Sequence, residues 1–373
     1  MVALIVGAAL AHPSVPPRWT LSHARTVLTS HPFAVVDETQ PDEPDYDLVF
    51  TRSDARRLRR TGPGTFAYTG AARDLQTGET LAVRFTLTSR GRVIGLRGPP
   101  ADMSQPSFPI RASFYYAWYP EAWSRGSVYP YTRFHPSLDF YSATDTSVER
   151  RQTDAMLYAH LNAGIYSWWG RGTDTDVRFW RYLAVARTTP LRWAVYYEHE
   201  GYADPSVEQI RADLEYIRDF YAYRPAYLKV DGRFVVFVYG DAGDSCSTVE
   251  RWRAANSGIG AYLVMKAFAG YAACPEQPDA WHQYSGSRDE YAVTTAFMIS
   301  PGFDEASESA ARLPRDIDRW RHDITDMVAS NLPWQLVISF NEWPEGTAVE
   351  DATEWQSTSG YGAYLDALRS VLP

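Results

Sequence analysis

"WQLVISFNEWPEGTAVE" (334–350) opens as an apolar run and turns polar at Asn341, placing Glu342 and Glu345 three residues apart around Trp343 and Pro344. A run apolar on both faces is what a strand covered by helices on either side looks like. Seven similar runs precede it: "IRASFYYAW" (110–118), "AGIYSWW" (163–169), "RWAVYYE" (192–198), "RFVVFVY" (233–239), "GAYLVMK" (260–266), "DAWHQY" (279–284) and "VTTAFMIS" (293–300). Amphipathic stretches separate most of them. In 206–221, Val207, Ile210, Leu214, Ile217 and Tyr221 share one face, and in 315–330 Ile317, Trp320, Ile324 and Val328 do the same. Strands alternating with helices over this length predict an α/β fold, a (β/α)8 TIM barrel over 105–373. A doubly wound sheet is the alternative, but no glycine-rich phosphate loop follows the first strand.

Outward from the barrel the pattern changes. "GLRGPPADMSQPSFP" (95–109) reads as a linker rich in Pro, Gly and Ser. Before it, 19–31 is helical in pattern, and 67–98 alternates polar and apolar residues with "QTGE" and "SRGR" as hairpin turns. These features predict a small N-terminal α+β domain over 19–104, with an accessory or docking role. Residues 1–18 read as a truncated signal segment, with a buried strand or helix as the alternative. Cys246 and Cys274 are the only cysteines and match no metal motif. They predict one disulfide in a secreted or extracytoplasmic protein; two buried thiols in a cytoplasmic one is the alternative.

The formal net charge of −9 argues against nucleic acid or an anionic membrane as the main partner. The basic cluster "RSDARRLRR" (52–60) reads as a solvated face, and no apolar segment is long enough to span a bilayer. Aromatic residues make up 14% of the chain, which suits either a large packed barrel or a cleft that stacks sugar rings.

Active sites of such barrels form at the C-terminal strand ends, and the predicted ends are where aromatic and ionisable residues collect: "YYAWYPEAW", "SWWGRGTD", "YYEHE", "VYGD", "WHQYSG" and "SFNEWPEGT". Glu342 and Glu345 are the catalytic candidates. Glycoside hydrolysis needs two carboxyl groups around a cationic transition state, and each raises the other's pKa. Three-residue spacing on a turn that starts a helix would aim both into one cavity, although glutamates at a helix start also serve the helix dipole. Glu350 reads as a rim or capping residue. The substrate-binding candidates are Tyr116, Trp118, His135, Trp168, Trp169, Tyr197, Glu198, Tyr239, His282, Asn341 and Trp343. Glu198 and Glu200 flank His199, an acidic knot suited to sugar hydroxyls or to surface ion pairs; its spacing matches no zinc motif. Trp168, Trp169 and both His candidates fit a buried core as well as a cleft. "TDTD" (173–176) reads as a helix N-cap rather than a metal motif of a sugar-nucleotide transferase.

"SFNEWPEGTAVE" (339–350) closely resembles the signature of the endo-α-mannosidase and endo-α-mannanase family, family 99 of the glycoside hydrolases. "FYYAWYPEAW", "HPSL", "AGIYSWWG" and "YYEHEGY" resemble its other segments, over about 110–370. The resemblance implies a (β/α)8 barrel that hydrolyses internal α-mannosidic linkages with retention, without cofactor or metal. It implies Glu342 as base on the substrate's 2-hydroxyl and Glu345 as general acid and then base. It also implies Trp169 and Tyr239 as subsite residues and Glu198 as a hydroxyl ligand. Pro344 stands where the family often has His or Gly. The expectation is a monomeric, endo-acting glycosidase on an α-linked glycan. A non-catalytic carbohydrate-binding protein and a family-99-like glycosyltransferase of a polysaccharide cluster are the rivals.

Overall fold

The computed structural model describes residues 19–30, 48–74, 80–89 and 102–373 in full, and the backbone alone of 2–3, 33–37, 40–47 and 93–97. The leader reading of 1–18, the turns at 76–79 and 90–92, and part of the linker (98–101) lie outside the described residues, apart from the backbone of Val2–Ala3. The chain divides into two compact units, Met1–Ala101 and Asp102–Pro373.

The second unit is built on eight parallel strands: β1 (Ile110–Tyr115), β2 (Ala163–Trp168), β3 (Arg192–Tyr197), β4 (Arg233–Val238), β5 (Tyr262–Lys266), β6 (Ala280–His282), β7 (Ala296–Ile299) and β8 (Trp334–Val337). β2 and β3 are buried along their whole length, as their β-branched and aromatic runs require when both faces are covered. Hydrogen-bonded pairing runs from β6 back to β1, then on to β8 and β7. The last strand therefore lies beside the first, with Trp334 opposite Ile110. At the remaining seam a side chain bridges. Trp281 N of β6 donates to Thr295 Oγ1 at 2.6 Å, and that hydroxyl donates back to the Trp281 carbonyl at 2.7 Å.

Helices α1 (Thr146–Tyr158), α2 (Asp174–Ala186), α3 (Val207–Ile217) and α4 (Cys246–Ala255) fill the first four connections; α5 (Ile317–Ala329) joins β7 to β8, and α6 (Ala363–Val371) follows β8. The strict strand–helix alternation breaks after β5 and β6. There a 3₁₀ turn (Tyr271–Ala273) and an antiparallel strand (Glu290–Ala292, paired with β7) take the place of helices. Pro275, Pro278 and Gly286 interrupt these short connections, which carry no helical apolar period. Thr173 caps α2 through the Asp176 N–H at 3.3 Å. Cys246 and Cys274 form a disulfide that ties the first residue of α4 to the turn after β5. Among the described residues no helix is long and apolar enough to cross a membrane.

In the first unit, helix Leu21–Ser30 accompanies one antiparallel sheet whose longest ladder joins Thr65–Asp74 to Thr80–Thr88. Alternate residues Phe66, Tyr68, Val83, Phe85 and Leu87 turn inward and pack with Ala24, Leu28, Leu48 and Leu58. The cluster at 52–60 is a single helical turn (Arg52–Ala55), closed by a capping box between Thr51 and Asp54, which then leads into strand Arg59–Gly62.

Candidate active site

One cleft at the C-terminal ends of the strands gathers Tyr116, Trp118, Trp169, Tyr196, Glu198, Tyr202, Tyr239, Tyr284, Glu342 and Glu345. The segment after β8 builds its floor. Residues 341–347 form turns rather than the start of a helix. Ser339 Oγ accepts the Glu342 N–H at 2.8 Å and pairs with Thr347 Oγ1 at 2.9 Å, while Thr347 N donates to the Glu342 carbonyl. Gly346 has φ +65°, and a Cβ there would meet the Asp304 carbonyl at 2.6 Å, so the turn demands glycine. Pro344 costs this turn nothing: it has no N–H to satisfy, and its carbonyl accepts the Ala306 N–H at 3.0 Å.

Glu342 is buried, and its Oε2 has no hydrogen-bond partner among the described residues. Burial, then the neighbouring Glu345 carboxylate, push its pKa well above the ordinary carboxyl value, against a backbone N–H donated by Glu345. Glu345 is pushed up to about 7, chiefly by burial and by Glu305, with Arg312 opposing. Both carboxyls are thereby held toward their protonated forms near neutral pH. A phenol relay reaches this pair: Tyr116 OH donates to Tyr284 OH at 2.8 Å, and Tyr284 OH lies 3.5 Å from Glu345 Oε2.

Glu198 completes the acidic side. Trp169 Nε1 donates to Ser167 Oγ at 3.0 Å, and Ser167 Oγ donates to Glu198 Oε1 at 2.7 Å. Burial raises Glu198 to about 8, toward the neutral acid, a form that can donate as well as accept. Tyr202 spans the cleft mouth, its ring 5.1 Å from Trp169 and 5.9 Å from Tyr239. It sits on the short turn Glu200–Ala203, which Arg251 of α4 grips through Glu200 and Asp204.

Strand alternation sorts the sequence candidates. Tyr116, Trp118, Trp169, Glu198, Tyr239, Glu342 and Glu345 line the cleft. Trp168 is one residue out of phase and points away, its Nε1 donating to Asp176 at 2.8 Å; Tyr197 likewise donates to Asp213 at 2.9 Å. Asn341 is fully buried and exchanges both amide groups with the Tyr116 backbone at 2.8 Å, locking β1 to the β8 end. Trp343 is fully buried beneath the turn, and His135 lies outside the cleft beside Asp139 at 3.4 Å. His282 lies in the barrel interior against Tyr196 OH at 3.2 Å, and burial lowers it to about 3, leaving it neutral. Glu350 is not a rim residue. It is buried behind Trp343, accepting from Gln152, Tyr141 and Trp343, and is raised to about 7 by burial. Glu200 faces Trp252 Nε1 at 2.7 Å rather than the cleft. Tyr196, Tyr202 and Tyr284 line the cleft without having been singled out in the sequence. For Tyr196 the signal was available, because it shares the strand phase of Glu198.

Glu200, Asp204 and Asp244 bring carboxylates together away from the paired glutamates, and the Arg251 guanidinium already neutralises two of them. The metal-like spacing of Asp174 and Asp176 dissolves in the same way: Asp176 is filled by Trp168, Tyr221 and Gly172.

No protein-family model and no curated protein matches this chain. Solved structures do. An endo-alpha-mannosidase of family 99 from Bacteroides thetaiotaomicron, in complex with BIS-TRIS-propane, superposes with a TM-score of 0.56 at 18% identity, covering 72% of this chain and 97% of that one. A second structure of that enzyme gives 0.55 at 17% identity, with 72% and 100% covered. At this identity the likeness is one of fold: the chain has a fold like that of the family-99 endo-alpha-mannosidases.

Proposed function

We propose that the chain is a retaining, endo-acting glycoside hydrolase that cleaves internal α-glycosidic linkages of a neutral glycan, with α-mannosides as the first substrates to test. The observation that carries this reading is the Glu342/Glu345 pair, one buried and one half-buried, lining one aromatic cleft with both pKa values raised. The fold likeness to an endo-alpha-mannosidase supports it. Trp118, Trp169, Tyr202 and Tyr239 offer ring faces suited to neutral sugars.

In this reading Glu342 removes the proton of the substrate's 2-hydroxyl, and that oxygen attacks the anomeric carbon. The glycosidic C–O bond breaks as Glu345 protonates the departing oxygen, leaving a 1,2-anhydro sugar. Water then opens the three-membered ring, losing its proton to Glu345, while Glu342 returns its proton to O2. Two inversions give net retention. A 2-hydroxyl that donates to Glu342 favours the ionised form of Glu342 while Glu345 keeps its proton. Glu198, a donor and acceptor at once, binds sugar hydroxyls beside the reacting pair. The chain works as a monomer outside the cytoplasm, where the Cys246–Cys274 bond persists. Residues 19–104 form an accessory module to the catalytic 105–373.

The test is to incubate purified protein with α-mannans and related α-glucans, following reducing ends and anomeric configuration by NMR. Retained α-product from internal cleavage is expected. Binding without any release of reducing ends would establish the non-catalytic alternative.

A further inference from the structure

The outward face of the N-terminal sheet is chemically unlike the rest of this acidic chain. Strand Arg59–Gly62 pairs with Thr65–Asp74, which pairs with Thr80–Thr88, so register sets Arg59 beside Ala67 and Thr86, and Thr69 beside Arg84. Residues pairing directly share a face. Since Phe66, Tyr68, Val83, Phe85 and Leu87 turn into the core, the described residues on the opposite face of these three strands are mainly Arg, Thr and Ala, Arg59, Thr61, Ala67, Thr69, Arg73 and Arg84 among them. Arg56 and Arg57, just before the strand, extend it into a groove of about 640 Å³, lined by Arg56, Arg57, Arg59, Thr61, Ala67 and Thr69. That volume lies within the range of ligand pockets.

The charges on this face are uncompensated among the described residues. Arg56, Arg57, Arg59, Arg73 and Arg84 are exposed, and none makes an ion pair with a described carboxylate. Asp54 is engaged in the capping box with Thr51, and Asp74 is buried on the core side. Strand geometry puts the α-carbons of Arg59 and Arg84 about 12 Å apart, two strands across and two residues along. The guanidinium groups thus form a spaced array rather than a point. At physiological salt, screening beyond about 8 Å lets this array act locally despite the chain's net charge.

We propose that this face is a docking surface for an anionic polysaccharide, one whose repeating sugars carry carboxylates. Guanidinium groups take carboxylates in paired hydrogen bonds, and the intervening threonine hydroxyls suit sugar hydroxyls. The other polyanions fit less well. Among the described residues no aromatic ring lies on the face to stack bases, and a broad seven-stranded sheet does not enter the major groove of a duplex. Among the described residues no large apolar side chain is exposed there to enter a membrane interface. The module would hold the chain to an acidic matrix, whichever glycan the barrel cleaves.

The experiment measures binding of the full-length protein to polygalacturonate at low and moderate salt, beside neutral mannan, polyuridylate and phosphatidylserine vesicles. Polygalacturonate should bind, and its affinity should fall at least tenfold between about 50 and 300 mM salt, the counterion signature of several charge contacts. The triple variant Arg57→Ser, Arg59→Ser, Arg84→Ser should lose at least tenfold in affinity while keeping its circular dichroism and barrel activity. Lysine at the same three positions should restore most of the binding. Absence of polygalacturonate binding, an unaffected serine variant, a lysine variant as weak as the serine one, or tighter binding to polyuridylate or vesicles each overturns the proposal. Because binding is read without hydrolysis, its outcome is independent of the barrel's activity.

Discussion

At the residue scale the site is governed by where carboxyl groups lose water. If Glu345, raised to about 7, is the proton donor as proposed, kcat/KM should fall as pH rises through neutrality, because the acid form is then depleted. Glu345→Gln should slow hydrolysis of unactivated glycans by about 10²–10⁴-fold, and less for substrates with good leaving groups. A Glu345→Gln variant with wild-type turnover would remove Glu345 from the mechanism. Glu198 makes a different prediction. Its folded pKa of about 8 exceeds the unfolded value near 4.5, so the native state binds the extra proton and loses stability as pH rises between those values. Glu198→Gln removes that loss, and its Tm advantage over wild type should widen from pH 5 to pH 8. A constant Tm difference across that range would mean Glu198 is ionised in the native cleft. The spacing of Glu342 and Glu345 was legible in the sequence. The choice between Trp168 and Trp169 was not, because both are apolar enough for either face of a buried strand.

At the element scale, the short turn Glu200–Ala203 and α4 behave as one unit. Arg251 holds Glu200 and Asp204, Trp252 holds Glu200, and the disulfide anchors the start of α4. Tyr202, exposed by 65% yet facing the cleft rings, depends on this clamp for its position. Tyr202→Ala should raise KM for long glycans several-fold and leave kcat on a short aryl glycoside nearly unchanged, as loss of uniform binding requires. Equal effects on both substrates would place Tyr202 in the chemical step instead. Replacing both cysteines by serine opens a loop with a sequence separation of 28. In the chain-entropy account this costs about 3–4 kcal/mol, readable in chemical denaturation. The missing helices after β5 and β6 were only partly foreseeable. Prolines and glycines marked the breaks, but an outer strand in place of a helix needs β7 beside it to accept its hydrogen bonds.

At the scale of the molecule, acid groups buried in the barrel unit act in concert. Glu198 at about 8, Glu200, Glu345 and Glu350 at about 7 and Asp323 at about 6 all owe their shift first to burial. Each binds its proton more tightly folded than unfolded, so the stability of the barrel should decline from about pH 5 to pH 8. Thermal unfolding across that range tests it; a Tm that rises with pH would show these carboxyls ionised and compensated in the native state.

The sequence by itself determined the strand runs, the helical faces and the polar ends, because burial on two faces, burial on one stripe and turn chemistry each leave a local period. It also marked the glutamate pair, since both members lie within one segment. Tertiary structure alone decided that Asn341 locks a barrel seam, that Glu350 lies behind Trp343, that Tyr284 reaches Glu345, and that Arg59 and Arg84 share an open face. Those roles depend on strand phase and on neighbours distant in the chain. Neither is carried by a local pattern of hydrophobicity.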